Sequence, residues 1–462
     1  MLLARLGEKA REIRFEDLPE EAVATARQAI LDTIGVSLAG SREDCVRILR
    51  TAVAPQMQGP SSLLGHNAST SPLDAALING TAAHALDFDD CSNTMGGHPS
   101  APVVPALWAL AEREDASGRA FLAAYAAGVE VETKLGRTLN FHHYEKGWHP
   151  TSTLGTFGAA AACAHLLDLP TDRFANALAL AASMASGIKA NFGTMTKPFH
   201  VGHSARNGLL AALLAADGMT ANPEALESAQ GFFNVYNGEG TFAPDRLLEA
   251  FAAPFDLIDP GIAFKRHPCC ASTHPAADAL LRIMTEHGLS ADRIASIRSW
   301  THPRRLRHTN RPDPKSGLDA KFSVQYVLAR AALEGVVRLD HFSDAAVREP
   351  AVRSFMTRIQ AAPHPEAVME TTEHFFADVQ VVTTDGQTFS AYVDRPLGRD
   401  RDHPLPAGAL EAKFRDCAGI VFEPAAVAEL EAGLLSLETC RIRDLSRMMR
   451  PLRREPSVRR AG

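Results

Sequence analysis

Apolar residues recur at spacings of three and four along PEEAVATARQAILDTIGVSLAG, where Val23, Ala26, Ile30, Ile34 and Leu38 share one face. Pro19 opens this helix and Gly40 closes it. Ser71-Pro72-Leu73-Asp74 combines an N-cap serine, a proline in the first turn and an acid three residues after the cap. A second helix is therefore expected through ALINGTAAHALDF, ending in Asp87-Phe-Asp-Asp90 with His84 and Asp87 one turn apart. APVVPALWALAERE, ASGRAFLAAYAAGVEVETKLGRTLN and, at 203–218, HSARNGLLAALLAADG show the same periodicity. Leu154 to Leu167 and Phe174 to Ala190 are dominated by alanine, glycine and serine. Small side chains let helix axes approach closely, which predicts central helices wrapped by others. No convincing strand pattern precedes about residue 260.

The texture changes near Phe264. Ile294 to Thr301 alternates as a half-buried strand does, and VQVVTTDGQTFSAYV places Asp385-Gly386 between two alternating runs, a strong hairpin signal. HPAADALLRIMTEHG, DAKFSVQYVLARAALEG and DAAVREPAVRSFMTRI supply helices between them. After Leu410, LEAKFRDCAG and PAAVAELEAGLLSLE return to helix. The expected architecture is mainly α: residues 1–263 form a large helical domain, 264–395 a smaller α+β domain, and 396–462 helices that pack back on the first. A chain of 462 residues suits two cores better than one.

Composition narrows the function classes. Hydrophobic residues at 46% and charged residues at 22% fit an ordinary globular protein rather than a disordered or membrane-spanning one. The opening MLLARLGEKAREIRFEDLPEE turns charged too soon for a secretory signal, so the expected location is cytoplasmic, with no membrane partner. A formal net charge of -7 argues against a nucleic-acid partner. The basic run RIRDLSRMMRPLRREPSVRR reads as a solvated helix end and tail. Seven cysteines in an odd set without metal-ligand spacing read as free thiols.

The chemistry-bearing residues gather at turns. His98, His149 and Lys197 each precede a proline, which biases them toward extended backbone at helix boundaries. Asp87, Asp89 and Asp90 end a helix, where the macrodipole disfavours negative charge, so at least one carboxylate needs a specific partner. Asp87 is the candidate for facing inward; a solvated helix end with a structural His84–Asp87 pair is the alternative. No second acidic cluster accompanies them in the helical part, so no metal is expected. Lys197 suits a Schiff base, a carboxylate clamp or a surface position. His267-Pro-Cys269-Cys270 and Ser272-Thr-His274-Pro275 form a further polar turn, its vicinal cysteines reduced and either lining a pocket or simply buried. There is no glycine-rich phosphate loop, nucleophile elbow or dinucleotide fingerprint, which leaves acid/base chemistry with His, Lys, Asp and thiol groups such as Cys270.

HALDFDD with GHPS, GWHPTSTLGTFGAAAA, NFGTMTKPFHVGHSARNG and KRHPCCASTH together resemble the MmgE/PrpD family, over nearly the whole chain. Its members include 2-methylcitrate dehydratases, cis-aconitate decarboxylases and iminodisuccinate epimerases. The resemblance implies an all-helical domain with an α+β lid, a homodimer, and a cofactor-free site between the domains. It maps the decarboxylase site onto Asp87, His98, His149 and Lys197. Three positions depart: a threonine is replaced by Cys91, a lid histidine falls close to Cys270, and a lid tyrosine falls near His308. These departures weigh against cis-aconitate itself, and the loop wording around His149 and Lys197 is closer to the epimerase branch.

What the members share is proton transfer at carbon next to a carboxylate. The implied substrate is a small polycarboxylate, with Lys197, Arg206, Lys265 and Arg266 as nearby cations and Cys91, Cys270 and His308 shaping specificity. His149, with an ordinary pKa near 6.5, is the expected general acid/base. The leading expectation is a lyase performing dehydration or decarboxylation. An epimerase and a non-catalytic carboxylate binder are the alternatives.

Overall fold

In the computed structural model, residues 1–53, 58–366 and 375–451 are described. The chain divides into two compact units, Met1–Phe264 with Ala407–Gly462, and Lys265–Pro406.

The first unit is helical. Its N-terminal part runs α1 (Leu2–Arg11), α2 (Glu20–Gly40), α3 (Asp44–Val53), α4 (Pro72–Ala85), α5 (Ser100–Glu114), α6 (Gly118–Leu139), α7 (His142–Lys146), α8 (Pro150–Leu166), α9 (Thr171–Met184) and α10 (Thr196–Ala216). The Ser71 side chain accepts the Asp74 amide at the head of α4, as the cap pattern requires. Between α3 and α4, Ser61–Ser62 (β1) and Ser69–Thr70 (β2) form a two-residue antiparallel ladder, too short to leave a periodic signal in sequence.

α10 packs on α4 and α8, and α8 on α6 and α5, so the alanine-rich helices lie at the centre. Glycines make these approaches possible. A Cβ on Gly80 of α4 would come within 2.9 Å of the Gly202 Cα on α10, and one on Gly128 of α6 within 2.7 Å of the Gly158 carbonyl oxygen on α8. α8 has nearly every residue buried, and α4 every residue from Ala75 to His84, which fits helices that are apolar or small all round.

The helices Ala409–Ala418, Pro424–Leu435 and Ile442–Met448 return to this unit. Phe414 packs against Gly35 of α2, and Trp108 Nε1 donates to Ser446 Oγ at 2.9 Å. The basic run is not wholly solvated: Arg443 donates to the Glu112 carbonyl oxygen and Arg441 to that of Asp115, at the C-terminal end of α5. Guanidinium groups there complement the helix dipole. The remainder of that run, from residue 452 on, lies outside the described residues.

The second unit is a four-stranded sheet with helices. β3 (Ile294–Thr301), β4 (Ile359–Pro363), β5 (Ala377–Thr383) and β6 (Thr388–Val393) are ordered β4-β3-β5-β6. β3 runs parallel to β4 and antiparallel to β5, and β5 and β6 form the hairpin across Asp385-Gly386, with Gly386 at φ 85. β5 alternates strictly between buried and half-buried positions, as its sequence does. β4 carries no such alternation, with only Ile359 buried, and sequence periodicity passes it over. α11 (His274–His287) packs on β5 and β6.

Candidate active site

The acidic segment after α4 does not run on as helix. The helix ends at Ala85, and Asp87 adopts a left-handed backbone with φ 52. That reversal breaks the one-turn relation between His84 and Asp87 and turns Asp87, Asp89 and Asp90 all inward, each at most 5% exposed. The segment is pinned by paired backbone bonds between Cys91 and Ala263 and by Lys413 Nζ donating to the Phe88 carbonyl oxygen at 2.6 Å. A solvated helix end is thereby excluded.

His149 is the N-cap of α8 on extended backbone (φ −95, ψ 95), and its amide donates to the Gly187 carbonyl oxygen at 3.0 Å. His98 lies two residues before α5, and its amide donates to Thr151 Oγ1 at 3.1 Å. Lys197 departs from the expected extended backbone: it sits in the first turn of α10, with Pro198 behind it. A proline is tolerated there because the first amides of a helix have no carbonyl partner within it.

These elements bring the side chains together. Lys197 Nζ donates to Asp87 Oδ1 at 2.9 Å, both groups nearly buried. His84 Nδ1 lies 2.7 Å from Asp89 Oδ2, and His98 Nδ1 lies 3.1 Å from the same oxygen. His98 Nε2 faces Asp87 Oδ1 at 3.8 Å. Cys91 Sγ is 3.8 Å from His98 Nδ1. His149 lies edge-on to Phe192 at 4.8 Å between ring centroids, and 5.6 Å from His84. Its Nδ1 is 3.3 Å from His200 Nδ1.

Burial and charge divide the roles. Burial holds the His84 imidazole down at about 4 although Asp89 pulls the other way, so the ring is neutral and donates through Nδ1. Burial acts to raise the Asp89 carboxyl, but His84 and His98 outweigh it and keep that group well below the carboxylate range. Asp90 goes the other way: burial pushes it well above its ordinary value, against the opposing bond from Ser100 Oγ. His149 is held well below its ordinary value by burial first, then by His84, Lys197, His200 and His98.

The remaining candidates have separate surroundings. Arg206 lies on α10 with its buried Nε unpartnered. Lys265, Arg266, Cys270 and His308 belong to the second unit. There the Arg266 guanidinium donates to Asp278 Oδ1 at 2.8 Å, His267 Nε2 lies 3.1 Å from the same oxygen, and the Leu397 amide donates to Oδ2 at 3.1 Å. Asp278 thus organises the segment that carries Lys265, which is buried. The Cys270 amide donates to the Lys321 carbonyl oxygen, and His308 Nε2 lies 3.1 Å from Ser272 Oγ. All seven cysteines are unbridged.

The MmgE/PrpD N-terminal domain matches residues 4–245, and the MmgE/PrpD C-terminal domain matches residues 267–438. The chain belongs to the MmgE/PrpD family. It is 32% identical over 419 residues to a cis-aconitate decarboxylase of Homo sapiens, covering 87% of this chain and 85% of that protein. The corresponding protein of Mus musculus is 30% identical over 428 residues, with 87% and 84% covered. A cis-aconitate decarboxylase of Aspergillus terreus is 26% identical over 462 residues, with 95% and 93% covered.

In this MmgE/PrpD chain three site residues escape the sequence pattern. Asp89 is hidden among three similar acids, and only the turn at Asp87 reveals which carboxylate meets which imidazole. Phe192 stands in a loop without periodicity. His200 lies one helical turn after Lys197, a relation that emerges once α10 begins at Thr196. His84, Asp87, Asp89 and His98 each offer a ligand-type atom within 4.8 Å of the others, a set able to hold a divalent ion. The Lys197 ammonium at 2.9 Å already supplies positive charge to that set.

Proposed function

We propose that this chain is a lyase that removes CO2 from a small tricarboxylate of the cis-aconitate kind and returns a proton to the carbon left behind. The observation that carries the reading is the convergence of the buried Lys197 and Asp87 with the half-buried His98, and of the buried His149, in one unit. The relatives named above, decarboxylases by name, support the substrate class.

In this reading the Lys197 ammonium, now on Asp87, is the anchor for a substrate carboxylate. A carboxylate held there is oriented by one fixed point charge, with the His98 imidazole adjacent. Loss of CO2 leaves an electron pair that delocalises toward a neighbouring carboxylate, where fixed donors stabilise the developing charge. His149 then delivers the proton. Its burial beside Phe192 keeps bulk water from competing for the carbanion. The reading calls on no cofactor.

One observation favours a second reading. The Cys91 thiol sits beside His98, where the decarboxylase pattern has threonine, and a thiol on one side with an imidazole on another suits removal and return of a proton without carbon loss. That would be an epimerase.

Incubation with cis-aconitate, 2-methylcitrate and iminodisuccinate in D2O, followed by proton NMR, separates the readings. CO2 release with one deuteron in the product supports the lyase. Exchange or scrambling at a C–H carbon without CO2 loss supports the epimerase. A melting shift with no exchange indicates a binder. His149→Ala and Lys197→Ala should each lower turnover about 10²-fold or more. Near-normal turnover by both variants refutes the assignment.

A further inference from the structure

His149 is surrounded by groups that oppose its protonation. His84 faces it from the last turn of α4, His98 from the segment that joins α4 to α5, and Lys197 and His200 from α10; among the described residues no carboxylate bonds to it. A ring so placed rests neutral, and a neutral imidazole is a poor acid unless a proton arrives at one nitrogen as another leaves the second. Decarboxylation also consumes one proton per turnover, and His149, 2% exposed, has little access to water.

The His149 Nδ1 is 3.3 Å from the Nδ1 of His200, which is 8% exposed. The pair is held in place from the backbone up. His149 N bonds to the Gly187 carbonyl oxygen, Ser152 N to the His149 carbonyl oxygen at 2.9 Å, and Ser152 Oγ to the His200 carbonyl oxygen at 3.0 Å. Gly187, at φ 113, allows this closure: a Cβ there would come to 2.9 Å from Ser152 Cβ and 3.4 Å from His200 Cγ.

We propose that His200 is a positioning residue that feeds protons to His149 by tautomer exchange across the Nδ1–Nδ1 contact. This rests on His149 being the proton donor in the function proposed above. Before transfer, His149 carries its proton on Nε2 and accepts a bond from His200 Nδ1–H. As the carbanion takes the Nε2 proton, the His200 Nδ1 proton passes to His149 Nδ1, and solvent protonates His200 Nε2. The His149 Nε2–H bond, the His200 Nδ1–H bond and one O–H bond of the solvent donor break; a C–H bond, a His149 Nδ1–H bond and a His200 Nε2–H bond form. Both rings stay neutral, and the net change is one proton from solvent to carbon. Water entering as product leaves runs the two tautomers back.

The test uses the full chain with His200→Phe and His200→Gln. Glutamine keeps a hydrogen bond to His149 but cannot exchange a ring proton. With cis-aconitate, both variants should show kcat lowered about 10²-fold at unchanged KM. A His200→Gln variant at the wild-type rate overturns the proposal in favour of simple positioning. Independently of turnover, 15N-histidine NMR at pH 7, assigned with His149→Gln, reads the tautomers. The expected wild type has exchange-averaged His149 nitrogens, and His200→Gln has separate N–H and lone-pair nitrogens. Identical patterns in the two proteins overturn the relay. Failure of the wild type to turn over any acid of the panel sinks the proposed function, and the NMR arm still decides the exchange.

Discussion

Replacing Lys197 by methionine removes the ammonium bonded to Asp87 while keeping most of the side-chain volume. The pair is 2.9 Å apart, and its side chains are 9% and 8% exposed, so screening by water is weak. At an effective dielectric of about 20, two unit charges at that distance attract by roughly 6 kcal/mol. Part of that attraction offsets the desolvation of both groups, and truncating one partner of a buried pair costs about 3–5 kcal/mol. Loss of the ammonium withdraws a charge that favours ionised Asp87, so the penalty should be largest at high pH and shrink as acid protonates that carboxyl. The assay is a double-mutant cycle with Asp87→Asn, read by thermal unfolding at pH 8 and pH 5. The double variant should melt above Lys197→Met alone at pH 8, with the gap narrowing at pH 5. Additive losses at both pH values would refute the claim that these two groups form a coupled pair.

Three further outcomes follow from the same geometry. The folded His84 imidazole is held at about 4 against an ordinary 6.5, so the unfolded chain binds the extra proton between those values and stability falls with acidification through that window; the loss is up to about 3 kcal/mol, and His84→Gln should flatten the melting curve's slope there. Glu132 is fully buried with both carboxyl oxygens unpartnered, and burial holds it well above 4.5; its stability contribution is lost as pH rises from that value, so Glu132→Gln should raise the melting temperature at pH 8 and leave it nearly unchanged at pH 4.5. Gly202→Ala would drive a methyl into α4 at Leu77 and Thr81, costing about 1–3 kcal/mol and separating Lys197 from Asp87, which a fall in both melting temperature and kcat/KM would register.

The sequence by itself determined much of the framework. The α2 boundaries, the capped start of α4, the central alanine-rich helices and the Asp385-Gly386 hairpin follow from local periodicity, capping and turn chemistry, which depend on residues close in the chain. Its motifs also singled out Asp87, His98, His149 and Lys197 as chemistry-bearing. The pairings were settled only in three dimensions. Whether His84 meets Asp87 or Asp89 turns on a single left-handed residue at the end of α4, and an L-residue adopts that backbone only where surrounding contacts outweigh its cost. β4 likewise forms because β3 offers it a parallel edge, not because its own residues alternate. The contact between His149 and His200 joins positions 51 residues apart, and Gly187 must leave room for it. Local sequence chooses the groups; packing over long separations chooses their partners, and partners decide which imidazole is neutral, which carboxylate is charged and where a proton can go.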